Sequence, residues 1–483
     1  MLRLNIGEAR FFRRKGCKMR RFREKFIGDK QFYKMILMVA LPIMIQNGIT
    51  NFVGLLDNVM VGQLGTEQMS GVAIVNQLMM VFNICIFGAV SGASIFSAQF
   101  YGQGNHEGVR NAFRFKVVSC GIIAVLGLVI FGTNGTNLIH LFLNDGSVAE
   151  IAATHEAGMA YLFVMMIGMI PFTVSQVYAS TLRETGETIV PMTAGIIAVF
   201  VNLMFNWMLI FGIKGVIPSY GVKGAAIATL IARVVEMIVV VAWTHVHAEK
   251  NIFIQGVYRH FRIPTELMKQ IIVKGTPLLI NEAMWSGGMA VLSQCYSMRG
   301  LDAVAAINIS TTVSNLFNVV FIALGSSISI VVGQQLGSGE LERAVDTDRK
   351  MIFFTVASCF VVGSLMLLIA PAFPNIYNTT DTVKGFATDL IRIASVFMPL
   401  YAFYHASYFT LRSGGKTVIT FLFDSCYLWV INIPVAFLLS RFTEMPLIPV
   451  YLTCQCVETM KAVVGYILLK KRVWVNNIVD EMK

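Results

Sequence analysis

Asp57 stands in a long apolar run, LPIMIQNGITNFVGLLDNVMVG, among an unusual number of amides. At 100° per residue, Gln46, Asp57, Thr50, Gly54, Asn47, Asn58 and Asn51 fall within one arc of about 140°, while Ile45, Ile49, Phe52, Leu55, Leu56, Val59 and Met60 take the other side. A helix bathed in lipid all round carries no such wedge, so the polar arc predicts a bundle interior or a water-filled cavity. An acid deep in a membrane span costs at least ~2.5–3.5 kcal/mol on insertion scales, which marks it for function. A carboxylate so placed can take up and release a proton, or hold Na⁺ together with amide and carbonyl oxygens. Asn58 beside it, and Asn202 and Asn206 one turn apart in VNLMFNW, are the neutral donors and acceptors that would share such a site. The bland alternative for the two later amides is interhelical hydrogen-bond glue.

A second set lies further along. Glu282 sits in TPLLINEAMWSGG, next to Asn281 and one turn before Trp285. An acid beside an aromatic face suits an organic cation by charge and by cation–π attraction, whereas the competing reading is a Glu snorkelling to the membrane surface. Tyr401, His405 and Asp424 are weaker candidates. Glu458 and Lys461, three apart, are expected to neutralise each other as a structural ion pair. Gln46, Asn47 and Thr50, with Asn281, Glu282, Trp285, Tyr401 and His405, form the expected lining for a substrate. None of the seven histidines belongs to a set with catalytic or metal-ligand spacing, so no enzyme and no cofactor are expected. SGGKT at 413–417 lacks the upstream glycine of a phosphate-binding loop, and GQGN and GSGE read as tight turns.

The elements that position these groups follow from composition. The chain has 483 residues, 56% of them hydrophobic and 13% charged, against about a quarter charged in soluble domains. Twelve apolar runs between 35 and 470 are each long enough to cross a hydrocarbon core, which takes about 20 residues. The net charge of +11 does not indicate nucleic acid, because the cations crowd residues 1–34 and then alternate loops (Arg110, Arg114 and Lys116; Arg183; Arg259 and Arg262; Arg343 and Arg349; Arg412; Lys470 to Arg472). The opposite loops are poor in them, so both termini are expected to be cytoplasmic. The eight cysteines read as small apolar side chains without a disulfide framework.

The chain is also duplicated. Pro42, Gly65, Ser91, Gln99, Gly102, Gly104, Glu107 and Arg114 each recur 235 positions later, as Pro277, Gly300, Ser326, Gln334, Gly337, Gly339, Glu342 and Arg349. Leu182, Arg183 and Thr188 recur 229 later as Leu411, Arg412 and Thr417. Six spans per copy put both copies in the same orientation, related by an axis along the membrane normal. The expected organisation is a basic arm (1–34), an N-lobe (35–246), a linker (247–270), a C-lobe (271–470) and a tail (471–483). The copies differ at Asp57 against Leu292 and at Asn47 against Glu282.

LPIMIQNGITNFVGLLDNVMVGQLG, SAQFYGQGN, NLMFNWMLIFG followed by GVKGAAIAT, and in the second half GTPLLINEAMWSGG, VVGQQLGSGE and TLRSGGKT, resemble the multidrug and toxic compound extrusion (MATE) family over nearly the whole chain after residue 34. The resemblance implies an all-α protein of twelve transmembrane helices in two six-helix bundles. It further implies an antiporter of the cell (inner) membrane that exports organic cations and amphipathic compounds against H⁺ or Na⁺ by alternating access. By position, Asp57 matches the family's acid of the first helix and Asn202 the amide beside it, a place for Na⁺. Asn206 stands where one branch has Asp, Glu282 lies one turn before the family's seventh-helix Glu, and the tenth-helix Asp is replaced near Tyr401. A lipid-linked precursor flippase of the same superfamily is the alternative, for which a cavity rich in Arg or Lys would be expected, whereas these spans read as poor in internal cations. No partner is expected beyond drugs and membrane lipids, and a monomer is the expected state.

Overall fold

A computed structural model describes residues 23–143, 147–213 and 216–482, apart from the side chains of residues 53, 55, 58, 59 and 482. Most of the basic arm therefore lies outside the described residues. Twelve long helices follow one another: α1 (Lys30–Gly62), α2 (Thr66–Gly102), α3 (His106–His140), α4 (Val148–Glu184), α5 (Ile189–Phe211), α6 (Gly221–Val246), α7 (Thr265–Ser297), α8 (Leu301–Gly337), α9 (Leu341–Ile369), α10 (Asp381–Ser413), α11 (Thr417–Phe442) and α12 (Leu447–Lys470). Eleven are long and apolar enough to cross a membrane by composition. The twelfth, α7, carries Glu266, Lys269, Lys274 and Glu282, and it is kept in the bundle by packing. Helices α1–α6 form one bundle and α7–α12 the other, as the sequence predicts.

The duplication is visible in the backbone. Gly104 and Gly339 turn the chain between α2 and α3 and between α8 and α9 at φ +74° and +81°. Gly186 and Gly415 do the same after α4 and α10 at φ +91° and +71°. Both pairs need the left-handed region, which glycine enters without strain, so the repeated glycines mark repeated turns.

The bundles meet on the face that carries the interbundle segment and the chain's end. There α2 and α8 cross so closely that a Cβ on Gly102 would lie 1.8 Å from the Gln334 carbonyl oxygen, and one on Gly337 would lie 1.9 Å from that of Gln99. The side chains repeat the reciprocity: Gln99 Nε2 donates to the Ser413 carbonyl (3.0 Å) at the end of α10, and Gln334 Nε2 to that of Glu184 (2.7 Å) at the end of α4. Ser413 and Glu184 are themselves 229 apart, so a two-fold axis passes through this crossing. Helix α7 packs on α2 through Gly275 against Gly92 and Leu279 against Gly88.

Two segments cross between bundles. The first half of α1 buries Ile36 and Ala40 with Leu324, Ile328 and Val331 of α8, inside the C-lobe core. After α12 the chain runs back along the same face, with Trp474 in the C-lobe core and Ile478 and Val479 in the N-lobe core. Gln99 clamps this tail twice, accepting from Ile478 N (2.9 Å) and donating to the Asn476 carbonyl (3.2 Å). The interbundle segment is also ordered: Phe253, Ile254 and Val257 are buried in the N-lobe core, and Arg114 Nε donates to the Val257 carbonyl (2.9 Å).

Candidate functional site

Asp57 lies in the second half of α1, half-buried, opposite α5. Asn206 and Asn202, spaced one turn apart on α5, are 2% and 6% exposed. Asn206 Nδ2 donates to Asp57 Oδ1 (2.6 Å) and to Asn202 Oδ1 (3.0 Å), and Asn202 Nδ2 reaches Thr229 Oγ1 of α6 (3.3 Å). Turned over, the Asn202 amide places its nitrogen 3.0 and 3.2 Å from the two Asp57 oxygens. The oxygen and nitrogen of an amide are nearly equal in size and shape, so both amides are within bonding reach of one carboxylate. Among the described residues, Asn206 Oδ1 is buried with no hydrogen-bond partner. An orphaned acceptor costs about 1–3 kcal/mol, and it invites a donor or a cation. The oxygens of Asp57, Asn202, Asn206 and Thr229 are hard ligands of the kind that suit H⁺ or Na⁺. Nearby, the Tyr161 hydroxyl donates to Asn76 Oδ1 (3.4 Å), and Arg233 sits 4.9 Å from the Phe172 ring centroid.

The rest of the wedge divides. Gln46 Oε1 accepts from Arg183 Nη2 (2.8 Å), at the end of α4. Thr50 is exposed and returns its hydroxyl to the Gln46 carbonyl (2.8 Å). Asn51 Nδ2 reaches across to the Asn315 carbonyl of α8 (3.4 Å), and Asn47 is half-buried. The Asn58 side chain lies outside the described residues. One helix thus presents polar groups to α4, α5 and α8 at once.

In the C-lobe, Asn281 and Glu282 of α7 point into the bundle. Tyr408 OH donates to Glu282 Oε1 (3.2 Å), and Asn281 Nδ2 lies 3.2 Å from Asp424 Oδ2 and 3.4 Å from Tyr408 OH. Glu282 is therefore held inside the bundle and is not a snorkelling acid. Asp424 and Glu458 share the ammonium of Lys461, at 3.2 and 3.4 Å, and Lys461 is only 2% exposed. The expected Glu458–Lys461 pair is thus a triad whose third member comes from α11. Asp424 lies on a π-helical stretch, Leu422–Cys426, where the wider turn re-aims side chains. Tyr401 OH donates to Gln455 Oε1 (2.5 Å), and His405 rests between the rings of Phe321 and Tyr404, with centroids 4.6 and 4.8 Å away. These two line the same polar core without touching Glu282. Trp285 is 40% exposed and stands apart from the cluster, whereas Trp429 Nε1 donates to the Met284 carbonyl (2.8 Å).

Buried cations are few among the described residues, and Arg114 and Lys116 flank an apolar run whereas Lys461 lies inside one. Lys116 is fully buried, with Glu184 oxygens at 2.6 and 2.8 Å, Lys461 and Arg114 are buried too, and Arg183, half-buried, donates to Gln46. Each is neutralised or bonded locally, and hydropathy averages hide such pairs. The signals were nonetheless present. Arg183 and Arg412 end the fourth helix of each copy, and Asp424 and Lys461 lie at matching depths on consecutive antiparallel helices.

A duplicated bundle pair, sealed on one face and holding carboxylates within, defines a multi-pass membrane transporter. The model of the MatE family matches residues 42–208 and 277–438, one block in each bundle, and the chain belongs to that family. It is 25% identical over 417 residues to the "Probable multidrug resistance protein NorM" of Thermotoga maritima, covering 86% of this chain and 87% of the relative. Among solved structures it is similar to a MATE protein in complex with MaL6 (TM-score 0.83, 21% identity, 92% of this chain and 96% of that one). A structure described as the outward-facing conformation of a multidrug resistance MATE family transporter superposes equally well (TM-score 0.83, 21% identity, 92% and 96% covered).

Proposed function

We propose that this protein is a secondary antiporter of the cell membrane, with both termini cytoplasmic, exporting organic cations and amphipathic compounds in exchange for H⁺ or Na⁺. The observation that carries the reading is the Asp57–Asn206–Asn202 cluster, a carboxylate inside a membrane bundle within bonding reach of two buried amides, one of which has an acceptor without a partner among the described residues. A proton or Na⁺ at Asp57 reverses what the amides must do, from donating to the carboxylate to presenting oxygen to its cation. That rearrangement acts on the bond between α1 and α5. Because the first half of α1 is packed in the C-lobe, a change at Asp57 bears on how the bundles sit together. Substrate and coupling ion then favour different arrangements, which is what exchange requires. Glu282, in the facing bundle, supplies negative charge for a cationic substrate.

The test is ethidium efflux from proteoliposomes under a pH gradient alone and then a Na⁺ gradient alone. Wild type should respond to one of them, and Asp57→Asn to neither, with its unfolding temperature close to wild type. Wild-type efflux by the Asn variant under the same gradient would sink the assignment.

A further inference from the structure

On the outer side of α1, a groove of about 590 Å³ runs between this helix and the start of α5. Its long wall is one stripe of α1 at helical spacing: Lys30 and Lys34, then Leu37, Leu41 and Ile45, faced by Met192 from α5. The apolar part is open, with Leu37, Leu41 and Ile45 at 41%, 46% and 37% exposure. The two lysines are exposed at the membrane-surface end of the stripe. Among the described residues, neither lysine has a carboxylate within ion-pair distance. Tyr33 between them is fixed, with its ring 5.1 Å from that of Phe354 and its hydroxyl accepting from Gly28 N (3.3 Å). The opposite face of α1 is consumed by α8, and the Thr188 hydroxyl donates to the Met38 carbonyl (2.8 Å), tying the two walls of the groove together.

We propose that this groove seats one anionic phospholipid, its phosphate between the ammonium groups of Lys30 and Lys34 and an acyl chain along Leu37, Leu41 and Ile45. Residues four apart on a helix are neighbours, so two ammonium groups converge on one phosphate. A single phosphate bridging two lysines that have no carboxylate partner among the described residues satisfies charge that neutral, zwitterionic headgroups satisfy poorly. Basic pockets between transmembrane helices are the setting in which lipid headgroups are held specifically. The occupant touches the helix that carries Asp57 and Gln46, so the lipid becomes part of the wall against which α1 moves.

Native mass spectrometry of the purified full chain, loaded with phosphatidylglycerol or phosphatidylcholine, tests this. One phosphatidylglycerol should be retained per chain in preference to phosphatidylcholine. The double variant Lys30→Gln, Lys34→Gln, at exposed positions that leave the fold intact, should retain it about thirtyfold less. Met192→Trp, which fills the groove and keeps both lysines, should also lose it. Glycerol phosphate, the headgroup without its chains, should not displace the lipid. Equal retention of the two lipids, unchanged retention in either variant, or displacement by glycerol phosphate overturns the proposal. None of these readouts depends on transport or on which ion drives it.

Discussion

Lys116 and Glu184 show how far a single residue's meaning depends on its partner. Fully buried, the ammonium also contacts Ser180 Oγ (3.2 Å) and Thr181 Oγ1 (3.1 Å), so every proton it offers is taken. Lys116→Ala strands Glu184 in a dry site and should cost about 3–5 kcal/mol, whereas the paired change Lys116→Met with Glu184→Leu should recover most of that. Thermal unfolding in detergent distinguishes the two outcomes. Lys461→Met should be worse still, because it releases Asp424 and Glu458 together, and adding Asp424→Asn should restore part of the loss. At this scale the sequence was half legible. A carboxylate in an apolar run with amides on its own face declares itself, as Asp57 did. Lys116 and Arg183 were assigned to loops, because the structural helices run several residues beyond the apolar windows that reveal them.

At the scale of elements, the crossing of α2 and α8 is among the tightest contacts of the described residues. Gly102→Ala or Gly337→Ala places a methyl where a carbonyl oxygen already stands, 1.8 or 1.9 Å away, so the helices must separate. Gln99→Ala with Gln334→Ala removes the reciprocal bonds at roughly 0.5–1.5 kcal/mol each without adding bulk. Both should shift the population toward an arrangement open on this face. Distances between spin labels on Glu107 and Arg343 should lengthen, more for the glycine variants than for the glutamine pair. The repeat pattern marks these four residues as two pairs of counterparts, since identical types recur at one offset. That they touch each other across the axis was not readable, because periodicity places a residue on a face but does not say which helix meets it. The π-helical stretch around Asp424 was hidden for a similar reason: a widened turn changes the facing of side chains without changing the apolar count.

For the whole molecule, two bundles, twelve helices and parallel repeats were all legible from run lengths and the offset. The ordering of the ends was not. The segment after α12 reads as a polar tail, yet Trp474 is 1% exposed and Ile478 likewise. Its few apolar residues are too short a run to register as an element, and they are buried only because both bundles are already present to receive them. Removing residues 471–483 should therefore lower the unfolding temperature and increase thiol labelling of a cysteine introduced at Gln103, whose amide otherwise binds Asp480 Oδ1 (2.7 Å).

The two ends of the chain also trade places. The opening half of α1 completes the core of the second bundle, and the closing residues complete the core of the first. A duplicated gene product is commonly pictured as two independent modules on a string, but here each module borrows its missing piece from the other's territory. Expressed apart, residues 1–246 and 247–483 should each be proteolysed. Expressed together, they should assemble into a complex that copurifies and survives, because neither half is a self-sufficient folding unit. The fusion that joined the copies has become irreversible in a physical sense: separation would remove from each copy a part of its own interior.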